Sequence, residues 1–224
     1  MKVRTSPASI SFSFIIAFSS LFGIVDSASA FSETAFQSSF KKFTTAADDK
    51  VIEQTAQEFQ QLLAAEPGNP LLMAYAGAST ARLATTTMFP WKKMSYAEDG
   101  MAKLDKALQI TANADNDAAS HSPAMHGSVP VTLEVKFVAA NTFLALPGFM
   151  NRASQGQKLL NDVLQQAQFA TTASSFRGAV WLRAATLALE QKHPELAKTY
   201  LTAVIQANAP QASAAVQLMK GIAS

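Results

Sequence analysis

From about residue 32 to its end, this chain repeats apolar residues at intervals of three and four, and that spacing fixes the fold class. One face of an α-helix buries such a set, whereas a strand buries alternate residues. Ile52, Thr55/Ala56, Phe59 and Leu62/Leu63 form the first clear stripe. Asp48/Asp49 stand where a helix start needs an acceptor, and Glu66-Pro67-Gly68 closes the segment. Asn69-Pro70 then restarts a helix, because Asn accepts from a free N–H and proline at the first helical position has none to lose. Met73, Ala76, Gly77, Thr80 and Leu83 line the next face. Ser128-Val129-Pro130 opens a segment striped by Leu133, Phe137, Ala140 and Leu144, and Leu146-Pro147-Gly148 ends it. Val131, Leu133, Val135 and Phe137 also alternate, so a strand is the competing reading there. His193-Pro194-Glu195 and Ala209-Pro210 start the last two helices. The pattern predicts about eight or nine helices with short turns. Two connections are longer: 85–92, holding Met88-Phe89-Pro90-Trp91, and the polar stretch 111–129.

Residues 1–30 read differently. Lys2 and Arg4 precede an apolar run from Ile10 to Val25, and Ala28-Ser29-Ala30 ends it. A basic start, an apolar middle and small residues at Ala28 and Ala30 are the pattern of a cleaved secretory signal peptide. The rival is a membrane anchor, which needs about 20 mostly apolar residues. Ser11, Ser13, Ser19 and Ser20 interrupt this run and Asp26 closes it. The expectation is cleavage near Ala30, a working chain of residues 31–224, and a periplasmic or secreted location. No cysteine follows the apolar run, so a lipoprotein anchor is excluded, and no later segment is apolar enough to span a bilayer.

Composition narrows the function. The leader holds Lys2, Arg4 and Asp26; without them 18 Lys+Arg and 16 Asp+Glu become 16 and 15. A near-neutral chain lacks the concentrated basic face that nucleic acid requires. With no cysteine in the chain, disulfides, thiol catalysis and cysteine-ligated zinc or iron–sulfur centres are excluded. Stability must come from helix packing.

The small residues recur at fixed places. Trp181, Ala185, Ala197, Leu201 and Val204, with Pro210 beyond, follow one spacing; Met73, Gly77, Gly100, Leu104 and Ala107 follow it with about eleven extra residues between the helices. Phe59, Leu62 and Pro67 match the end of a preceding unit, and Leu133–Leu144 with Gly156, Leu160, Val163 and Ala167 gives a looser third. Two helices cross where Gly or Ala lets their backbones approach. On these residues the chain resembles a tetratricopeptide-repeat protein over most of its length. It departs in the long insertion, the polar stretch before Pro130, and Thr80 and Ala188 where the family has tyrosine. The resemblance implies an all-α solenoid of antiparallel helix pairs, a concave protein-binding face and no catalysis.

Few residues carry chemistry. His121 and His126 lie five apart with Asp115 and Asp117 nearby, yet without the helical spacing that metal sites use, so they read as solvated and no metal is expected. His193 precedes Pro194 and reads as structural. Asp99 and Asp105 sit among Lys103 and Lys106, as on a solvated helix face. No nucleophile elbow, phosphate loop or dinucleotide fingerprint is present. Met88-Phe89-Pro90-Trp91 is bulkier than a linker needs; it reads either as a core plug or as an anchor for a partner. Leu146-Pro147-Gly148-Phe149-Met150 raises the same choice. A Gln-rich stretch through Gln155, Gln157, Gln165, Gln166 and Gln168 reads as a solvent face or an amide-lined groove.

The expectation is therefore a non-catalytic exported scaffold, without cofactor, that binds a protein or peptide partner in the cell envelope, as an assembly or transporter accessory factor would. Tyr75, Ser79, Lys136 and Asn141 are the expected contacts from repeat geometry, with Phe89 and Trp91 from the 85–92 connection. A small-ligand or lipid carrier and an enzyme with dispersed catalytic residues are the alternatives.

Overall fold

A computed structural model describes residues 32–117 and 123–223. The expected leader, its cleavage point and His121 lie outside the described residues. Among those residues the architecture is all-helical: α1 (Glu33–Thr45), α2 (Asp49–Ala65), α3 (Pro70–Arg82), α4 (Pro90–Asp117), α5 (Val131–Ala145), α6 (Ala153–Gln165), α7 (Ser174–Glu190), α8 (Pro194–Gln206) and α9 (Ala212–Ala223). A two-stranded hairpin, β1 (Met125–His126) and β2 (Val129–Pro130), precedes α5 and pairs Met125 with Pro130 and His126 with Val129. Gly127, at its turn, has φ +57°, a left-handed conformation that glycine adopts without a Cβ penalty.

Local chemistry sets most helix starts. Asp48 accepts from the Lys50 amide at 2.9 Å, and Asn69 Oδ1 accepts from the amides of Leu71 and Leu72 at 3.0 and 3.2 Å. Pro70 and Pro194 occupy first-turn positions. Helices α6 and α8 are followed or preceded by residues that turn the chain sharply; Asn151, Lys192 and Asn208 all take positive φ.

The helices pack as sequential pairs, α3 on α4, α5 on α6 and α7 on α8. Small residues sit at the crossings. A Cβ built on Gly77 would lie 2.8 Å from the Gly100 carbonyl oxygen, and one on Gly100 would lie 2.6 Å from that of Gly77. A Cβ on Gly156 would lie 3.0 Å from the Ala140 oxygen, which brings α6 equally close to α5. Ala185 and Ala197 are fully buried in the α7–α8 pair.

Three apolar clusters follow one another along the chain. The first joins α1 to α5 around Phe36, Phe59, Leu72, Leu104 and Phe143. The second joins β2, α5, α6 and α7 around Leu133, Leu160, Val163 and Val180. The third joins α7, α8 and α9 around Leu201, Val204 and Ala215. Helix α5 lies in the first two clusters and α7 in the last two.

Three sequence readings are corrected, and one choice is decided. The second helix of the α3–α4 pair, expected from Tyr96 to Ile110, runs from Pro90 to Asp117. Proline at its first position starts it early, and the Lys93 amide already donates to the Phe89 carbonyl at 3.0 Å. The polar residues after Thr111, read as connection, continue the helix to Asp117. Val131–Phe137 is helix, as the Leu133–Leu144 stripe implies, and the competing strand does not form. Its apolar residues alternate because α5 is enclosed on more than one side, with Leu133 in the second cluster and Val135 in the first. Finally α9 begins at Ala212, two residues after Pro210.

Candidate functional site

The start of α4 holds the most exposed apolar group in the described chain. Met88 is 87% exposed, Trp91 66%, Phe89 50% and Met94 38%. Every residue from Met88 to Ser95 is exposed, whereas Ala97, Gly100, Met101 and Leu104 are buried. The helix is thus anchored from Ala97 onward, and its first turns stand clear of neighbouring helices. Phe89 and Trp91 lie with ring centroids 4.9 Å apart. The Lys92 ammonium stands 5.5 Å from the centre of the Phe89 ring, and Lys93 is exposed beside it. The first turn carries no acidic residue. The result is a rigid tip with an aromatic body and two cations at its rim, not a core plug.

The other expected contacts are placed elsewhere. Tyr75 is 4% exposed and Ser79 2%. The reason is α3, whose residues Leu71 to Ala81 are all buried; its many Ala, Gly and Ser side chains let helices approach on every side. The rings of Phe36, Phe40 and Phe43 on α1 lie 5.1, 5.7 and 6.0 Å from that of Tyr75. The Ser79 hydroxyl donates to the Ala76 carbonyl at 3.1 Å. Lys136 is half-buried and Asn141 exposed, both on α5. Phe149 is 68% exposed in a turn of 3-10 helix after α5.

A buried polar chain sits beneath α1. The Tyr75 hydroxyl donates to Glu134 Oε1 at 2.8 Å, and Glu134 Oε2 lies 2.7 Å from His126 Nδ1. His126 Nε2 lies 3.3 Å from the Glu33 carboxylate, and the His126 ring meets the Phe36 ring edge-on at 4.9 Å. Four elements contribute: α1, α3, β1 and α5. Burial and the adjacent Glu134 push the Tyr75 phenol well above its ordinary range, so it stays protonated and donates. The Glu134 hydrogen bond raises His126 above 6.5, against the opposing effect of burial. With a carboxylate at each ring nitrogen, the imidazolium satisfies both as a donor.

Sequence reading placed His126 in solvent and passed over Glu134. The one signal for Glu134 is an acidic residue inside an otherwise apolar helix start, which first-turn electrostatics also explains. Asp105, read as solvated, pairs with Arg152 through bonds of 2.6 and 3.1 Å, and Arg152 also lies 5.1 Å from the centre of the Phe143 ring. Being partly exposed, this link is worth about 1 kcal/mol.

Among the described residues, no three His, Asp or Glu side chains group as metal ligands, and no helix is long and apolar enough to cross a membrane. The shallow depression lined by Phe43, Ala46, Ile52, Thr55, Ser79 and Arg82 has about 150 Å³ of empty space, part of it open to solvent, below the roughly 300–1,000 Å³ of small-molecule sites. No protein-family model, curated protein or solved structure matches this chain.

Proposed function

We propose that this chain is an exported, non-catalytic helical scaffold of tetratricopeptide type that docks onto a protein partner in the cell envelope. One observation carries the reading: Met88 and Phe89 just before α4, and Trp91 and Met94 in its first turns, face solvent, while the later turns of that helix are packed against α3. Large aromatic side chains dominate binding energy where partners meet, and Trp is the most enriched of them. A tip held by a helix also loses less freedom on binding than a loop would.

The tetratricopeptide class is supported by the close approach of α3 to α4 at Gly77 and Gly100 and of α5 to α6 at Gly156, and by apolar clusters that follow chain order. Export is supported by the leader-like residues 1–30. The reading as a non-enzyme rests on the sequence motifs. Tyr75 and Ser79 are enclosed beneath α1 and the turn after it, so the tip and not these two residues carries the docking surface. Lys136 and Asn141 on α5 add polar contacts.

The test compares the wild-type chain with a Phe89→Ala/Trp91→Ala variant as bait in native envelope extract. The variant is expected to lose partner binding by about 30-fold or more, the factor for two aromatic anchors worth some 2 kcal/mol together. Its melting temperature should not change, because both side chains are exposed. Undiminished retention by the variant overturns the docking surface. Retention on anionic vesicles in place of any protein overturns the protein-partner reading.

A further inference from the structure

Helix α1 is fastened to the rest of the described fold by polar contacts at both ends. Near its C-terminus, the Arg82 guanidinium donates to the carbonyls of Phe43 and Ala46, and Glu58 takes hydrogen bonds from Ser39 and Lys42. Near its N-terminus, the polar link is to His126: Glu33 faces one ring nitrogen and the Phe36 ring packs against the imidazole. The other nitrogen belongs to Glu134 of α5, whose second oxygen is held by Tyr75 of α3.

We propose that His126 is a proton-operated clasp: carrying a proton on both ring nitrogens it ties Glu33 of α1 to Glu134 of α5, and losing one proton it releases the first turn of α1. This goes beyond the docking role of the α4 tip and does not rest on it.

The chemistry follows from donor counting. An imidazolium donates at both nitrogens, and each meets a carboxylate. A neutral imidazole has one donor. Its second nitrogen then turns a lone pair toward a carboxylate, and one arm of the link becomes repulsive. The retained bond is the one to the enclosed Glu134, since losing it would leave a buried carboxylate with Tyr75 alone. The arm that opens is therefore the one to Glu33, whose side chain is 55% exposed and has water as an alternative partner. Among the described residues, Glu33 from α1 and Glu134 from α5 are titratable groups facing His126, with Tyr75 of α3 behind Glu134 as a neutral donor; Met125 and Gly127 to Pro130 of the hairpin carry no charge. The imidazolium also favours the aromatic ring of Phe36 beside it.

The direction with pH is set by His126 being raised from 6.5 in the folded chain, chiefly through Glu134. A folded value above the unfolded one gives stability that is complete below 6.5 and is lost as pH rises through the raised value. The clasp is closed in mildly acidic solution and opens toward alkaline pH. Phe36, 1% exposed among Phe59 and Tyr75, keeps the body of α1 in place, so opening is confined to its first turn, while the hairpin stays bound to Glu134 through His126.

The test is a proton NMR titration of the histidines from pH 5.5 to 9, with His126→Gln assigning the resonance, alongside hydrogen exchange of the α1 amides. The His126 midpoint is expected above 6.5. First-turn amides of α1 should exchange several-fold faster above that midpoint, after correction for base catalysis, and α2 amides should show no such step. Glu33→Gln, at a partly exposed position, should lower the midpoint and remove the exchange step while the chain stays folded, as read by circular dichroism. A midpoint at or below 6.5, no step in α1 exchange, or a step that survives in Glu33→Gln overturns the proposal.

Discussion

Phe59→Ala is expected to destabilise the protein by about 4 kcal/mol, the usual cost of deleting a buried aromatic ring. Phe59 is 0% exposed and touches rings on two other helices. Its centroid lies 5.8 Å from Phe36, 6.0 Å from Phe43 and 5.3 Å from Tyr75, the last in a stacked arrangement with 15° between planes. Removing it opens a cavity where α1, α2 and α3 meet and takes away the surface against which Tyr75 is set. For a domain of this size each kcal/mol moves the melting temperature by roughly 2–4 °C, so the fall should be about 8–16 °C. Thermal unfolding followed by circular dichroism measures it. A fall of less than about 3 °C would mean that α1 closes the gap, and that the aromatic cluster is not the joint it is described as.

Gly100→Ala should be the second most damaging change although it adds a single methyl group. The new Cβ would lie 2.6 Å from the Gly77 carbonyl oxygen and 2.7 Å from both the amide nitrogen and Cβ of Ala81. Backbone atoms of α3 cannot step aside as a side-chain end would, so α3 and α4 must separate along their whole crossing. Overpacking of this kind costs up to about 3 kcal/mol. Alanine returns about 1 kcal/mol of helix propensity over glycine, so the net loss expected is about 2 kcal/mol. Urea unfolding reads it directly, as a lower midpoint at unchanged slope. A stabilised Gly100→Ala protein would show that the helices have room at this crossing.

Features written in neighbouring residues were the readable ones. Asn69-Pro70 and Pro194 start helices where they were expected, because capping and proline geometry involve a single turn. The pairing of Gly77 with Gly100 was readable for a related reason: only small residues permit that approach, so their spacing records it. The beginning of α4 was not. Met88, Phe89 and Trp91 form no buried stripe, since they face solvent, and a periodicity argument sees a helix only through the face it buries. Residues 111–117 escaped in the same way, being a polar continuation of a helix already begun. Tyr75 was singled out for its place on α3, but its burial comes from α1, which folds over it from 30 or more residues away. The bond from Tyr75 to Glu134 spans 59 positions, and that between His126 and Glu33 spans 93. Local pattern contains nothing that would join such residues, and a lone glutamate at a helix start has a simpler local explanation.

The three successive apolar clusters have a consequence for how the molecule comes apart. The first cluster meets the second through α5 and the partly buried Leu159 of α6, and the second meets the third through α7 and the partly buried Tyr200 of α8. An element with little buried apolar surface opens more easily than one with much. The third cluster is the last along the described chain; its buried members are Ala185, Ala188, Ala197, Ala209 and Ala215 with Leu201 and Val204, and its aromatic rings, Trp181 and Tyr200, are only partly buried. It therefore has the least to lose on opening. Under stress the α8–α9 end is expected to open before the aromatic cluster beneath α1, and amide exchange faster in α8 and α9 than in α2 and α3 would measure it.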